Sequence, residues 1–113
     1  MSGDAAPLPG SPVRGSSTGR PVMALLDLLG RRWALRVLWE LREGPAQFRE
    51  LQRRCDGMSS SVLNQRLAEL RTAGILDAGG RGYVLTGEGV RLLNALAPLH
   101  DWADRWAARA GEP

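Results

Sequence analysis

The chain has 113 residues, 43% of them hydrophobic, and a formal charge of +3, which suits one domain with a modest core and excludes two. No apolar run is long enough to span a bilayer, and the N-terminus lacks the basic start and apolar core of a secretion signal. The single cysteine, Cys55, excludes an intramolecular disulfide framework and fits a reducing cytoplasm.

The charge is unevenly placed. Between Arg31 and Arg81 there are ten arginines against six acids, whereas from Gly87 onward three arginines face four acids. A basic segment followed by a near-neutral one predicts a polyanion-binding part and a separate assembly part, although an ordinary solvated surface explains the charge alone equally well. There is no lysine, so every fixed cation is a planar fork suited to phosphate and guanine edges.

Residues 1–21 are rich in Gly, Pro and Ser and predict a disordered tail. It carries Arg14 and Arg20; a solubilising leader is the simpler reading beside contact with DNA. Val22, Leu25, Leu26 and Leu29 repeat at helical spacing, and Gly30 ends that helix. A second helix is predicted over Arg32–Arg42, with Ala34, Val37, Leu38 and Leu41 inward, Trp33 and Trp39 flanking that stripe, and Gly44-Pro45 as its stop. A third follows over Phe48–Arg54, with Phe48 and Leu51 inward and Arg49, Arg53 and Arg54 outward. Asp56-Gly57 marks a turn, and Ser59 is placed to cap a fourth helix over Ser60–Ala73, which Gly74 terminates. Two short strands, Ile75–Ala78 and Tyr83–Thr86, flank Gly79-Gly80-Arg81-Gly82 as a hairpin. A final helix covers Glu88–Ala110, where Pro98 is expected to introduce a kink or a break.

The order helix, helix, helix, turn, helix, hairpin, helix predicts a mainly α fold with a small β-hairpin wing: a winged helix-turn-helix over 22–110, with 87–110 as a dimerisation helix. In that motif the second helix enters the major groove, and its N-terminal residues reach base edges. Ser60, Ser61, Asn64, Gln65 and Arg66 are the candidate base readers, since Asn and Gln pair with adenine and Arg with guanine. Arg49, Arg53, Arg54, Ser59 and Arg81 are candidate phosphate contacts. Singly, each is as readily a cap or a solvated residue; the set carries the reading.

From Leu26 to Trp106, about seven-tenths of the chain, the sequence resembles the HxlR-type winged helix-turn-helix regulators. The matching stretches are Leu29-Gly30-Arg31-Arg32-Trp33, Val37-Leu38-Trp39-Glu40-Leu41, Gly44-Pro45, Phe48-Arg49-Glu50-Leu51, Met58-Ser59, Val62 through Leu70 and Ala73-Gly74-Ile75-Leu76. Tyr83-Val84-Leu85-Thr86, Gly89 and Trp102 match further along. The resemblance implies a homodimer built from the first and last helices, binding an operator near a promoter as repressor or activator. The sequence departs from the family in its short hairpin, in Pro98, and in lacking the thiol-sensing cysteine that many members carry ahead of the first helix.

Cys55 beside Arg53 and Arg54 admits a redox reading, but a small apolar residue closing the third helix is the simpler one. Four tryptophans suggest aromatic anchors. Leu25, Trp33, Trp39, Leu96, Leu99, Trp102 and Trp106 are therefore candidates for a dimer interface, or for a pocket holding a flat aromatic or hydrophobic effector; the two can coincide. His100 is the sole histidine, and no metal-ligand cluster, phosphate-binding glycine pattern or nucleophile elbow is present, so neither an enzyme nor a cofactor is expected. The expected partners are double-stranded DNA, a second copy and an effector, with no membrane. The alternative is a winged-helix module that binds a protein and not DNA.

Overall fold

The computed structural model describes residues 6–111. Five helices and one hairpin follow in the order α1 (Pro21–Leu29), α2 (Ala34–Glu40), α3 (Phe48–Arg54), α4 (Ser60–Thr72), β1 (Leu76–Gly79), β2 (Gly82–Leu85) and α5 (Gly87–Ala110). Helix α2 is the hub, packing against α1, α3, α4 and α5. Its inner side chains Ala34, Val37 and Leu38, and Leu41 at its C-cap, are almost wholly buried. They meet Leu28, Leu51, Leu63, Leu67 and Leu70 in one core. This is the amphipathic pattern expected of a helix covered on one side.

The boundaries shift for local reasons. Helix α2 is shorter than predicted because Trp33, at its N-cap, takes a left-handed conformation (φ 73°), a state costly for a bulky residue and held here by packing of its ring on the core. In α1, Pro21 occupies the first turn, where its missing amide costs nothing. Ala24, Leu28 and Leu29 are buried, Leu25 is half-buried, and Val22 and Leu26 face outward.

Residues 1–5 of the expected disordered tail lie outside the described residues. The remainder is folded into turns: the Gly10 amide donates to the Gly19 carbonyl (2.9 Å), Val13 and Ser16 exchange a pair of backbone bonds, and the Arg14 amide donates to Asp27 Oδ2 (3.1 Å). Composition alone does not reveal these bonds; the first two close turns within the arm, and the third needs α1 to present Asp27.

The wing is a two-stranded antiparallel ribbon pairing Leu76 with Leu85 and Gly79 with Gly82, which leaves only Gly80-Arg81 as the loop. Tyr83 also exchanges backbone bonds with Ala46 (2.8 and 3.0 Å), stitching the wing to the loop before α3. Gly82 has φ +103°, and a side chain there would collide with the Ala46 carbonyl, so both conformation and space require glycine. Thr86 then caps α5: its hydroxyl donates to the Gly74 carbonyl (2.7 Å) and accepts from the Gly89 amide (3.1 Å).

Pro98 does not split α5, which runs unbroken for 24 residues. It withholds one amide from the carbonyl of Asn94, and both residues are exposed, so water can take over that bond. Leu92, Leu93 and Leu96 are the last residues of α5 to pack on the core. From residue 97 onward each described residue of the helix is exposed, although His100 still touches Trp39 on α2, and its end forms an arm leaving the body. The radius of gyration, 15.2 Å, accordingly exceeds the ~13 Å of a compact chain of this length.

Two glycines in the first turn of α5 provide a test. A Cβ at Gly89 would collide with the Ile75 carbonyl, whereas one at Gly87 meets nothing closer than the mobile end of Arg91 at 3.6 Å. Urea unfolding should show Gly89→Ala destabilised by about 1–3 kcal/mol and Gly87→Ala unchanged, or stabilised by up to about 1 kcal/mol.

Candidate nucleic-acid interface

Helices α3 and α4 are joined by a tight turn in which Asp56 (φ 58°) and Gly57 (φ 70°) are both left-handed. Three residues outside the turn hold it. Gln52 Nε2 donates to the Met58 carbonyl and to Ser60 Oγ, both at 2.9 Å. Ser59 Oγ accepts from the Val62 amide (3.2 Å), the N-cap predicted from sequence. Arg36 reaches across from α2, donating to the Arg54 carbonyl at the end of α3 (2.6 Å), to Asp56 (3.3 Å) and to Glu40 (2.9 Å). The Glu40 hydrogen bond, then the charges of Asp56 and Glu40, raise the Arg36 pKa against its partial desolvation. Arg36 was not among the sequence candidates; its only signal there was a cation one helical turn before Glu40.

At 100° per residue, α4 presents Ser60, Ser61, Asn64, Ala68, Arg71 and Thr72 outward. Gln65 is half-buried at the margin of that face. Arg66 does not belong to it. Its side chain is only 12% exposed and pairs with Glu69 (3.3 Å), itself 4% exposed. Arg66 is therefore corrected from base reader to interior ion-pair member, because its position falls on the side of the helix that carries Leu63, Leu67 and Leu70. Arg71 and Ala68, overlooked in the sequence, extend the outward face instead; the one-turn step from Asn64 to Ala68 would have found it.

The cations on α3 separate in the same way. Arg49 is exposed and has no ion-pair partner among the described residues. Arg53 is exposed and pairs with Glu50 (2.8 Å). Arg54 is drawn inward, donating to Glu50 (3.1 Å) and to the Glu40 carbonyl (2.9 Å), so its fork braces α3 against α2. The Arg54 hydrogen bond, supported by the charges of Arg54 and Arg53, holds the Glu50 carboxyl below its usual range. Arg81 stands exposed at the wing tip.

Glu69 is the buried charge on the inner side of α4. Arg31, in the turn after α1, donates to it at 2.6 Å, and Arg31 also lies 3.9 Å from Asp27. This cluster ties α1 and the turn to the inner side of α4. Cys55 is fully buried. Burial pushes its thiol pKa up, and nearby Arg36 offsets this only in part. The thiolate reading resting on Arg53 and Arg54 therefore has no support from its surroundings.

The seven interface or pocket candidates divide. Leu25 and Trp33 pack on the core. Trp39, Leu96 and Leu99 line an apolar groove of about 340 Å³ between α2 and α5, together with Leu35, Leu93 and His100. His100, read from sequence as an isolated polar residue, lies tilted by 33° against Trp39 with ring centroids 4.5 Å apart, and the Arg42 guanidinium lies 3.9 Å from the centroid of the Trp39 ring. Trp102 and Trp106 stack on each other (5.7 Å) farther along the α5 arm.

A capped recognition helix, a preceding helix bearing exposed arginines and a two-stranded wing define the class of winged helix-turn-helix transcription regulators, which bind DNA. The chain belongs to the HxlR-like helix-turn-helix family, whose model matches residues 28–110. Among curated relatives, the uncharacterized HTH-type transcriptional regulator YtfH of Escherichia coli is 31% identical, over 74% of this chain and 72% of its own length. The uncharacterized HTH-type regulator Mb3122 of Mycobacterium bovis is 32% identical, over 88% and 64%. Among solved structures, quinone-bound YodB from Bacillus subtilis superposes with a TM-score of 0.71 at 30% identity, covering 74% of this chain and 96% of that one. The family consists of transcriptional regulators and not enzymes. No helix among the described residues is long and apolar enough to cross a membrane.

Two measurements check this geometry. Glu69→Ala strands two arginines in the interior and should lower the unfolding free energy by about 3 kcal/mol, whereas Arg53→Ala should change it by under about 1 kcal/mol. In the native protein, Cys55 should resist a thiol reagent such as Ellman's reagent and react at the ordinary rate only after denaturation; rapid native labelling would contradict the burial described here.

Proposed function

We propose that the protein is a sequence-specific regulator that binds an operator in double-stranded DNA as a homodimer, and that a flat hydrophobic molecule modulates it. The carrying observation is the outward face of α4, with Ser60, Ser61, Asn64 and Gln65 presented in its first turns by a braced turn and a capped N-terminus. Asn64 and Gln65 read bases, with Arg71 at the far end of the same face; Arg49, Arg53 and Arg81 contact phosphates; and the α4 N-terminus adds backbone donors. Ser59 contributes mainly by capping, since its hydroxyl already accepts the Val62 amide.

The dimer reading rests on unpartnered apolar surface. Val22 and Leu26 on α1, and Leu99, Trp102 and Trp106 on α5, are all more than half exposed, a set that a monomer rarely leaves in water. Pairing through these helices places two reading helices about one DNA turn, roughly 34 Å, apart. The α2–α5 groove is the effector site. Its lining is apolar and aromatic, and YodB, of the same fold, has been crystallised with a quinone. Cys55 is the sole thiol and does not line the groove, so the ligand would be held without a covalent bond. Occupancy would shift α5 against α2, and with it the separation of the reading helices.

Selection of duplexes from a random pool tests the reading. An inverted repeat with half-sites about ten base pairs apart is expected, with affinity falling roughly a thousandfold or more between 50 and 200 mM salt. Asn64→Ala should relax preference at one base position by about 1–3 kcal/mol, while Arg49→Ala weakens all sequences alike. No enrichment at any salt would overturn the proposal in favour of a protein-binding module.

A further inference from the structure

A second basic feature lies on the inner side of α4, opposite its outward face. The N-terminal arm, the end of α1, the turn before α2 and the inner side of α4 enclose a polar cleft of about 650 Å³, whose lining includes Arg14, Asp27, Arg31, Arg32 and Arg66. The arm is turned by the Val13–Ser16 bridge and tied to α1 by the Arg14 amide on Asp27 Oδ2 (3.1 Å). Both nearby carboxylates have arginine neighbours, although Glu69 Oε1 accepts no hydrogen bond among the described residues. Asp27 receives the Arg14 amide and lies 3.9 Å from Arg31, while Glu69, behind the cleft, takes Arg31 (2.6 Å) and Arg66 (3.3 Å). The guanidinium groups of Arg14 and Arg32 have no carboxylate among the described residues, and both side chains are exposed. The Nε of Arg66 is buried and has no hydrogen-bond acceptor there. Four arginines thus line the cleft, two of them without a carboxylate among the described residues, and behind it the buried Arg66 Nε and Glu69 Oε1 both lack a hydrogen-bond partner among those residues. Guanidinium forks match the oxygens of a phosphate.

We propose that this cleft binds a phosphate group through Arg14, Arg32 and Arg66. The group is either a backbone phosphate of bound DNA or that of a free phosphorylated small molecule. Because Arg66 and Glu69 belong to α4, occupancy bears directly on the seat of the reading helix. The DNA source rests on the function proposed above; the small-molecule source does not.

Pyrophosphate is the probe for the free source. It is titrated into the full chain at constant ionic strength, with chloride as the control, and the Nε–Hε resonance of Arg66 is followed by NMR. The same titration is run on Arg14→Ala/Arg32→Ala, whose substitutions fall on exposed side chains. A saturable shift of Arg66, weakened roughly tenfold or more in the double variant, establishes a site for a free phosphate compound. For the DNA source, duplex binding is measured against salt. If pyrophosphate does nothing but the double variant binds every duplex more weakly, with the log–log salt slope reduced by about one for each phosphate no longer neutralised, the occupant is the DNA backbone. Arg91→Ala, which removes a charge outside the cleft, should leave that slope unchanged. Absence of both effects overturns the proposal. If the unmodified chain binds no duplex at all, the pyrophosphate titration alone decides, so failure of the cleft and failure of the DNA-binding reading are separable.

Discussion

The molecule is organised around the burial of one short helix. Ala34, Val37, Leu38 and Leu41 fill the space into which α1, α3, α4 and α5 all pack. A seven-residue helix has little stability of its own, so α2 exists because its neighbours cover it, and they hold their places because it gives them a common surface. Every position relevant to DNA is measured from that point: α3 and α4 rest on it from one side, and the base of α5 from another. The wing is fixed less directly, through the backbone pairing of Tyr83 with Ala46 and through the hydroxyl of Thr86 on Gly74.

Charge completes what apolar packing begins. A helix-turn-helix needs its turn in one conformation, and two consecutive left-handed residues would not hold by themselves. Arg36 supplies the restraint by taking the Arg54 carbonyl, Asp56 and Glu40 together, and Gln52 does the same from α3. Beneath α4, Glu69 gathers Arg31 and Arg66. Buried ion pairs of this kind add little net stability compared with an apolar replacement, but they penalise any rotation of the helix that would separate the partners. That restraint fixes which side chains of α4 face outward.

The α5 helix has two parts with different duties. Up to Leu96 it belongs to the core; beyond residue 97 its residues are exposed, His100 still meeting Trp39 and Trp102 and Trp106 standing in the open. The apolar groove lies where the two parts meet, with His100 on Trp39 at its wall. Pro98 falls at this junction, and removing one backbone bond there softens the helix at the point where the arm leaves the body. In a dimer joined through the arms, a molecule in the groove would act on that junction.

Much of this was legible in the sequence. Helical spacing, Gly and Pro stops and the Ser59 cap located all five helices and the hairpin, because those signals act within a few residues of one another. The outward placement of Ser60, Ser61, Asn64, Arg49 and Arg53 followed from the same periodicity. The sequence also determined that the positive charge sits in the middle of the chain, and that Cys55, as the only cysteine, forms no internal disulfide. Tertiary structure alone decided the rest. Arg66 and Arg54 look like their exposed neighbours in a list of residues, yet one turns to a buried carboxylate and the other to a backbone carbonyl on α2. Arg31 and Glu69 are 38 positions apart, and the tie between the arm and α1 needs Asp27 to be presented to the Arg14 amide. The physical reason is range. Periodicity and capping are settled within a turn or two of chain, whereas the pairing of a charge is settled by whichever distant segment packing brings within three or four ångströms of it.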